Sequence, residues 1–250
     1  MRTIWSARLP HFGEKTFDRV LCRTAMTLAR SWILSVRGLE HVAPDRDPFI
    51  LALNHSQRPE AVALPTLAIF SRGGKLIHFM ADWPFLMVPF IGLLFRRSGT
   101  INIGNKSARP AWLNGFRRAF VRGRSALVQA EELLATGKPV GIFPEGTINR
   151  NPVRLLPGRK GAARLSLDTG VPIVPAGISF PRRRRGCLTG DFMRMAVQIG
   201  PALHPPQLTP SFRTSRELVE EWHRVVMTAI AELSGKAWTA IQQEVTDVGS

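Results

Sequence analysis

A run without a polar side chain, Phe49-Ile50-Leu51-Ala52-Leu53, breaks abruptly into Asn54-His55-Ser56-Gln57-Arg58-Pro59-Glu60. Continuous apolar runs of this length read as strands buried on both faces, and such strands belong to sheets covered by helices. In α/β folds the chemistry collects just beyond the carboxyl ends of the strands, where this polar cluster falls. His55 is therefore a candidate base. Glu60 can reach back across one helical turn if Ser56 caps a helix whose first turn contains Pro59. A carboxylate on one imidazole nitrogen fixes the tautomer and leaves the other nitrogen free to take a proton. On these residues alone, a surface His–Glu pair at a helix start explains the pattern equally well.

The rest of the chain supplies the sheet. Strand candidates recur at residues 35–38, 76–81, 100–103, 140–143, 171–178 and 192–199. Between them lie helical patterns at 17–34, 61–70 (bent or interrupted at Pro65), 125–135, 160–167 and 215–233. This alternation predicts an α/β fold, a single domain with a central, mixed but mostly parallel sheet flanked by helices. Residues 36–235 form that domain, 1–35 an N-terminal amphipathic helical segment, and 236–250 a C-terminal tail.

Charge narrows the partners. The chain carries 34 Lys+Arg against 18 Asp+Glu, a formal net charge of +16. An excess of this size points to an anionic partner: a membrane surface, an acidic carrier protein or nucleic acid. Cys22 and Cys187 are too few for a disulfide framework, and no His/Cys group has zinc-site spacing. Residues 1–13 lack the apolar core of a secretory signal, and no stretch reaches the roughly 18–20 apolar residues of a membrane span. The longest uncharged run, residues 83–95, contains Pro84 and Pro89. It is suited to a bilayer interface or an acyl groove, and equally to core packing. The segment 105–124 interleaves Trp112, Phe116 and Phe120 with Arg109, Arg117, Arg118, Arg122 and Arg124, which fits either phosphate-rich surfaces or a solvated basic helix. The run Arg182 to Arg185 is a solvated loop or a phosphate contact.

Three blocks stand in order: Asn54-His55-x4-Glu60, Phe143-Pro144-Glu145-Gly146-Thr147, and Val171-Pro172-Ile173-Val174-Pro175. Over roughly residues 30–235 the chain resembles the glycerolipid acyltransferase family, the bacterial 1-acylglycerol-3-phosphate acyltransferases and their relatives. The resemblance implies transfer of a fatty acyl group from a thioester, on acyl-carrier protein or coenzyme A, to a hydroxyl or amine of a lipid-like or metabolite acceptor. His55 would deprotonate the nucleophile and Glu60 would hold the imidazole, while backbone N–H groups at the helix start offset the oxyanion charge. Asn54, Glu145, Gly146 and Thr147 would position the acceptor or shape the site. Trp83, Phe85, Phe90 and Leu94 would line the acyl groove. No metal and no cofactor beyond the thioester substrate is implied. The expected partners are the acyl donor and an anionic membrane surface, without nucleic acid. The expected state is a monomer in the cytoplasm, peripheral on the inner face of the membrane.

Departures from the family pattern concern the acceptor. Glu60 replaces the usual Asp, Ile148 stands where the third block carries Arg, Ile101 to Asn105 lack the acidic residue and Arg of the second block, and Asp82 occupies a neighbourhood that often carries a lysine. A phosphate site needs guanidinium or ammonium donors. One expectation is a neutral or cationic acceptor favoured by Asp82. The alternative is 1-acylglycerol-3-phosphate acylation, with Arg96, Arg97, Arg150 or the Arg182 to Arg185 run supplying the phosphate clamp. A reading from another class is a non-catalytic basic protein of membrane surfaces.

Overall fold

The computed structural model describes residues 2–12, 16–104, 107–108, 110–120, 124–182, 186–207 and 215–239. The chain opens with α1 (Arg2–Ser6) and α2 (Thr16–Ala29), and β1 (Ile33–Arg37) follows after a single 3-10 turn. Next come β2 (Ile50–Leu53), α3 (Glu60–Ser71) and β3 (His78–Asp82). A 3-10 segment over Trp83–Met87 leads to α4 (Ile91–Arg97), and β4 (Ile101–Ile103) follows. Another 3-10 segment, Ala111–Phe116, runs into α5 (Arg117–Phe120), and α6 (Ala126–Ala135) leads to β5 (Val140–Ile142). The fold closes with α7 (Gly161–Thr169), β6 (Ile173–Ser179), β7 (Met195–Ile199) and α8 (Arg216–Ser234).

The strands form one seven-stranded sheet in the order β1-β7-β6-β2-β5-β3-β4. Every pairing is parallel except β6 with β7. Parallel strands need crossovers, and the helices supply them on both faces. One core layer joins Ile50, Val140 and Ile173 to Leu134 of α6, Leu165 of α7 and Met227 and Ile230 of α8. The other joins Leu51, Leu53, Phe79 and Val174 to Ala63, Leu64 and Ala68 of α3. Alternate residues of β2 thus feed opposite layers, which is why the whole strand had to be apolar.

Two local expectations are corrected. α3 begins at Glu60, and Ser56 does not cap it. Residues 56–58 are drawn out of the helix by other bonds: Gln57 exchanges two side-chain hydrogen bonds with the Met193 backbone, and the Arg58 N–H donates to Asp191. Once started, α3 runs through Pro65 without interruption.

α2 carries an inverted amphipathicity. Asp18, Cys22 and Ala29 face inward, whereas Phe17, Val20 and Leu28 are exposed together on another helical face. Burial raises the Cys22 thiol to about 12, so it is an inert core thiol. Among the described residues, no helix is long and apolar enough to cross a membrane. At the other end, Lys236, Ala237 and Trp238, the start of the segment expected as a tail, are bound into the domain. Ala237 pairs with the 153–155 backbone, and the Trp238 indole donates to Leu156 and Pro157 carbonyls. Residues 240–250 of that segment lie outside the described residues, as do Asn105, Arg109, Arg122 and Arg183 to Arg185.

Two histidines off the site give the fold a pH dependence. His78 Nδ1 meets the Gly99 carbonyl at 2.8 Å, and His223 Nε2 meets the Pro157 carbonyl at 2.9 Å. Burial holds both below their ordinary value of 6.5, against the pull of those carbonyls. A depressed folded-state value means that the stabilisation is complete above about pH 6.5 and is lost as the pH falls through the folded value. Denaturant unfolding is therefore expected to show stability declining from about pH 7 towards pH 5. The decline should be shallower in His223→Gln; an unchanged slope would remove His223 from this account.

Candidate active site

The ladders bring the sequence blocks together. In the parallel β2–β5 pair, Ala52 stands opposite Ile142, so three residues further along both chains His55 falls beside Glu145. The contact is direct: the His55 backbone N–H donates to Glu145 Oε1 at 3.1 Å. In the β2–β6 pair, Leu53 stands opposite Ala176, and Asn54 then bridges to Ile178. Asn54 Oδ1 accepts from the Ile178 N–H at 2.7 Å while its amide donates to the Ile178 carbonyl at 3.1 Å. Asn54 thus splices the ends of two strands, and its side chain is wholly buried.

His55 Nδ1 lies 2.7 Å from Glu60 Oε2. That carboxylate oxygen also accepts the Ser56 N–H at 2.8 Å. Two donors converging on one oxygen lock the carboxylate, which is fully buried, and the imidazole edge that faces it. A proton on Nδ1 leaves Nε2 unprotonated and able to accept one. The ring is only 13 % exposed, packs at a tilt of 33° against Phe143 with centroids 4.4 Å apart, and lines a cavity of about 190 Å³.

That cavity lies beyond the carboxyl ends of four neighbouring parallel strands. His55 comes from the end of β2, Phe143 and Gly146 to Ile148 from that of β5, Asp82 from β3 and Ile103 from β4. Met80, Phe85 and Ile142 make much of the rest of the wall apolar. Thr147 is exposed there. Among the described residues, no group of three or more His, Cys, Asp and Glu is arranged to hold a metal ion.

Glu145 faces away from the cavity, into the protein. It is 5 % exposed, and besides His55 it accepts the Leu156 N–H at 2.9 Å and the Asn149 amide at 2.6 Å. Asn149 in turn donates its backbone N–H to the His55 carbonyl at 2.7 Å. Burial pushes Glu145 above its ordinary 4.5, opposed by these three hydrogen bonds and by the nearby Lys236 ammonium. Lys236 itself is 6 % exposed and donates to Ser56 Oγ and the Asn151 carbonyl, both at 2.9 Å. The His55 backbone is thus held at both its N–H and its carbonyl. Lys236 and Asn149 gave no sequence signal as members of this grip, because a lone lysine after a helix and an asparagine in a loop are unexceptional types.

Other residues expected at the site lie elsewhere. Arg97 pairs with Asp18 of α2 at 2.9 Å, Arg96 lies over the Phe120 ring, and Arg150 is held by Asp191 and the Thr189 carbonyl. Of the residues expected in the acyl groove, Phe85 lines the cavity. Trp83 and Leu94 are buried, Trp83 completely, and Phe90 is 78 % exposed at a positive φ of 63°. Backbone N–H groups at the helix start were expected to face an oxyanion; just ahead of α3, those of Ser56 and Arg58 are spent on Glu60 and Asp191.

A mostly parallel sheet with a His–Glu pair at its strand ends defines a class, and comparison gives it a family. The family model described as Acyltransferase matches residues 33–179, more than half of the chain, and the chain belongs to that family. It is 28% identical over 141 residues to the 1-acyl-sn-glycerol-3-phosphate acyltransferase of Borreliella burgdorferi, covering 56% of this chain and 48% of the relative. It is 26% identical over 195 residues to a chloroplastic 1-acyl-sn-glycerol-3-phosphate acyltransferase of Brassica napus, covering 72% of this chain and 51% of the relative. The chain therefore spans about half the length of the curated relatives it matches. Its fold is shared with the crystal structure of PlsC, the 1-acyl-sn-glycerophosphate acyltransferase of Thermotoga maritima. The TM-score is 0.56 at 22% identity, over 88% of this chain and 82% of that one.

Proposed function

We propose that this protein transfers an acyl group from a thioester to the free hydroxyl of a 1-acylglycerol 3-phosphate. The observation that carries the proposal is the 2.7 Å pairing of His55 with Glu60 on the wall of a largely apolar cavity. Such a site needs no nucleophile of its own, because the acceptor hydroxyl serves as one. Nε2 of His55 takes the hydroxyl proton as the oxygen attacks the thioester carbonyl, and the Nδ1–H bond to Glu60 stabilises the imidazolium that forms. Collapse of the tetrahedral adduct breaks the C–S bond, and the imidazolium returns its proton to the departing thiolate. With the Ser56 and Arg58 amides committed elsewhere, the Thr147 hydroxyl in the cavity wall is the donor we assign to the developing oxyanion.

The relatives' names favour a phosphate-bearing acceptor over the neutral or cationic one that Asp82 alone suggests. A panel of acceptors offered with acyl-coenzyme A and with acyl-carrier protein tests this. Lysophosphatidate should be acylated with the highest kcat/KM, whereas preference for an uncharged or amino acceptor would overturn that choice.

The outward face of α2 supports a place on the membrane surface. Phe17, Val20 and Leu28 offer apolar area on a chain of net charge +16, and Phe90, Trp112 and Phe116 add further exposed rings. Binding to vesicles containing anionic lipid is expected to weaken with salt. The double substitution Phe17→Ser, Leu28→Ser should weaken it by at least about tenfold. Unchanged vesicle binding would exclude this face.

A further inference from the structure

We infer that Arg159 recognises the phosphate of the acceptor, in place of the arginine that Ile148 displaces from the third sequence block. The inference rests on the acceptor proposed above.

Ile148 leaves the cavity wall without a guanidinium, and three of the arginines expected to compensate are engaged elsewhere: Arg97 with Asp18, Arg150 with Asp191, and Arg96 over Phe120; Arg182 does not line the cavity, and Arg183 to Arg185 lie outside the described residues. The neighbouring Lys160 and Arg164 are paired with Glu220 and Asp168. Arg159 is different. Its side chain is exposed, and among the described residues no carboxylate is paired with it.

Backbone geometry aims it. Gly158 has a φ of 81°, and a β-carbon there would come within 3.0 Å of His223 and 3.1 Å of Met227, so the turn is tucked tightly beneath α8. The next N–H, that of Arg159, donates to the Pro144 carbonyl at 2.7 Å and fastens the residue to the Pro144-Glu145-Gly146 turn. The side chain then folds over Gly146. A β-carbon on Gly146, itself at φ 65°, would lie 2.8 Å from Arg159 Nε and 3.3 Å from Cζ. Glycine at 146 therefore serves two ends: it permits the left-handed turn and leaves room for the guanidinium.

Gly146 and His55 line the same cavity. In a 1-acylglycerol 3-phosphate the reacting hydroxyl and the phosphate ester sit on adjacent carbons, so an acceptor whose hydroxyl meets His55 carries its phosphate close by. Arg159 packs against Gly146 without itself lining the cavity, and its planar guanidinium can meet two phosphate oxygens at once, which the carboxylate of Asp82, on the wall, cannot do.

The test uses the whole protein and a soluble short-chain lysophosphatidate. Arg159→Ala and Arg159→Lys are compared with the unaltered protein in calorimetric binding without donor, and in acylation of the lysophosphatidate and of the matching monoacylglycerol, which lacks the phosphate. For Arg159→Ala we expect at least about tenfold weaker binding and a KM raised by a similar factor, with kcat and monoacylglycerol turnover within about twofold of the original. Arg159→Lys should recover only part of the loss, because an ammonium cannot pair bidentately. Equal binding and equal KM in Arg159→Ala would overturn the assignment while leaving the proposed reaction intact. Binding that depends on Arg159 without any acylation would uphold the assignment and refute the reaction. If the unaltered protein neither binds nor acylates lysophosphatidate, both fail.

Discussion

His55→Ala is expected to lower acyl-transfer turnover by at least about 100-fold, with KM for the acceptor changed little. The imidazole stands on the cavity wall with one nitrogen fixed by a buried carboxylate at 2.7 Å. Removing it leaves Glu60 buried with only the Ser56 N–H on Oε2. The rate loss should therefore come with a modest loss of stability. Glu60→Gln keeps the size and an acceptor oxygen but removes the charge that stabilises the imidazolium, so it should reduce kcat while binding survives. Steady-state kinetics on the variants check both statements; an unaffected rate in His55→Ala would exclude it as the base.

Glu145→Ala is expected to be the most damaging substitution for the fold around the site. Three donors, the His55 and Leu156 N–H groups and the Asn149 amide, lose their acceptor inside the protein, and the Lys236 ammonium loses a nearby buried counter-charge. Breaking a buried charged network in this way costs about 3–5 kcal/mol, or about 10 °C in Tm for a domain of this size. Because the same carboxylate holds the His55 peptide, activity should fall together with stability. A residue that merely contacts the acceptor would instead raise KM with Tm unchanged, so thermal unfolding and kinetics on one variant separate the two roles. pH gives an independent check. The folded-state value of Glu145 lies above the ordinary 4.5, so ionising it costs stability as the pH rises through that window. This contribution has the opposite sign to that of His78 and His223.

The division between what the residues disclosed and what they hid follows from the range of each interaction. Strands such as β2 and β5 were legible because a central parallel strand must be apolar at every position, and that demand is written in consecutive residues. The His55–Glu60 pair was legible because its spacing is local. Ser56 was misread as a cap because its hydroxyl is claimed by Lys236, which lies 180 residues away in sequence. Arg97 and Arg150 were offered as phosphate ligands on type alone, and only the folded chain shows Asp18 and Asp191 beside them. Glu145 presented the same difficulty in reverse. A carboxylate in a Pro-Glu-Gly turn reads equally as an acceptor contact or as a shaper of the site, and the parallel register, which sets it beside His55 and turns it inward, decides for the second. Arg159 went unremarked as a site residue because its approach to Gly146 depends on two left-handed glycines in different turns.

The central claim is that this protein joins the acyl group of a thioester to a lysophosphatidate hydroxyl, and the stoichiometry of one reaction tests it most directly. Purified protein is incubated with an acyl thioester and lysophosphatidate; free thiol is titrated and lipid products are weighed by mass spectrometry. One diacylated phospholipid should appear for each thiol released, and neither should appear above background with His55→Ala. Release of thiol with free fatty acid as the only acyl product would instead identify a hydrolase. Absence of thiol release with every acceptor and donor would contradict the claim altogether.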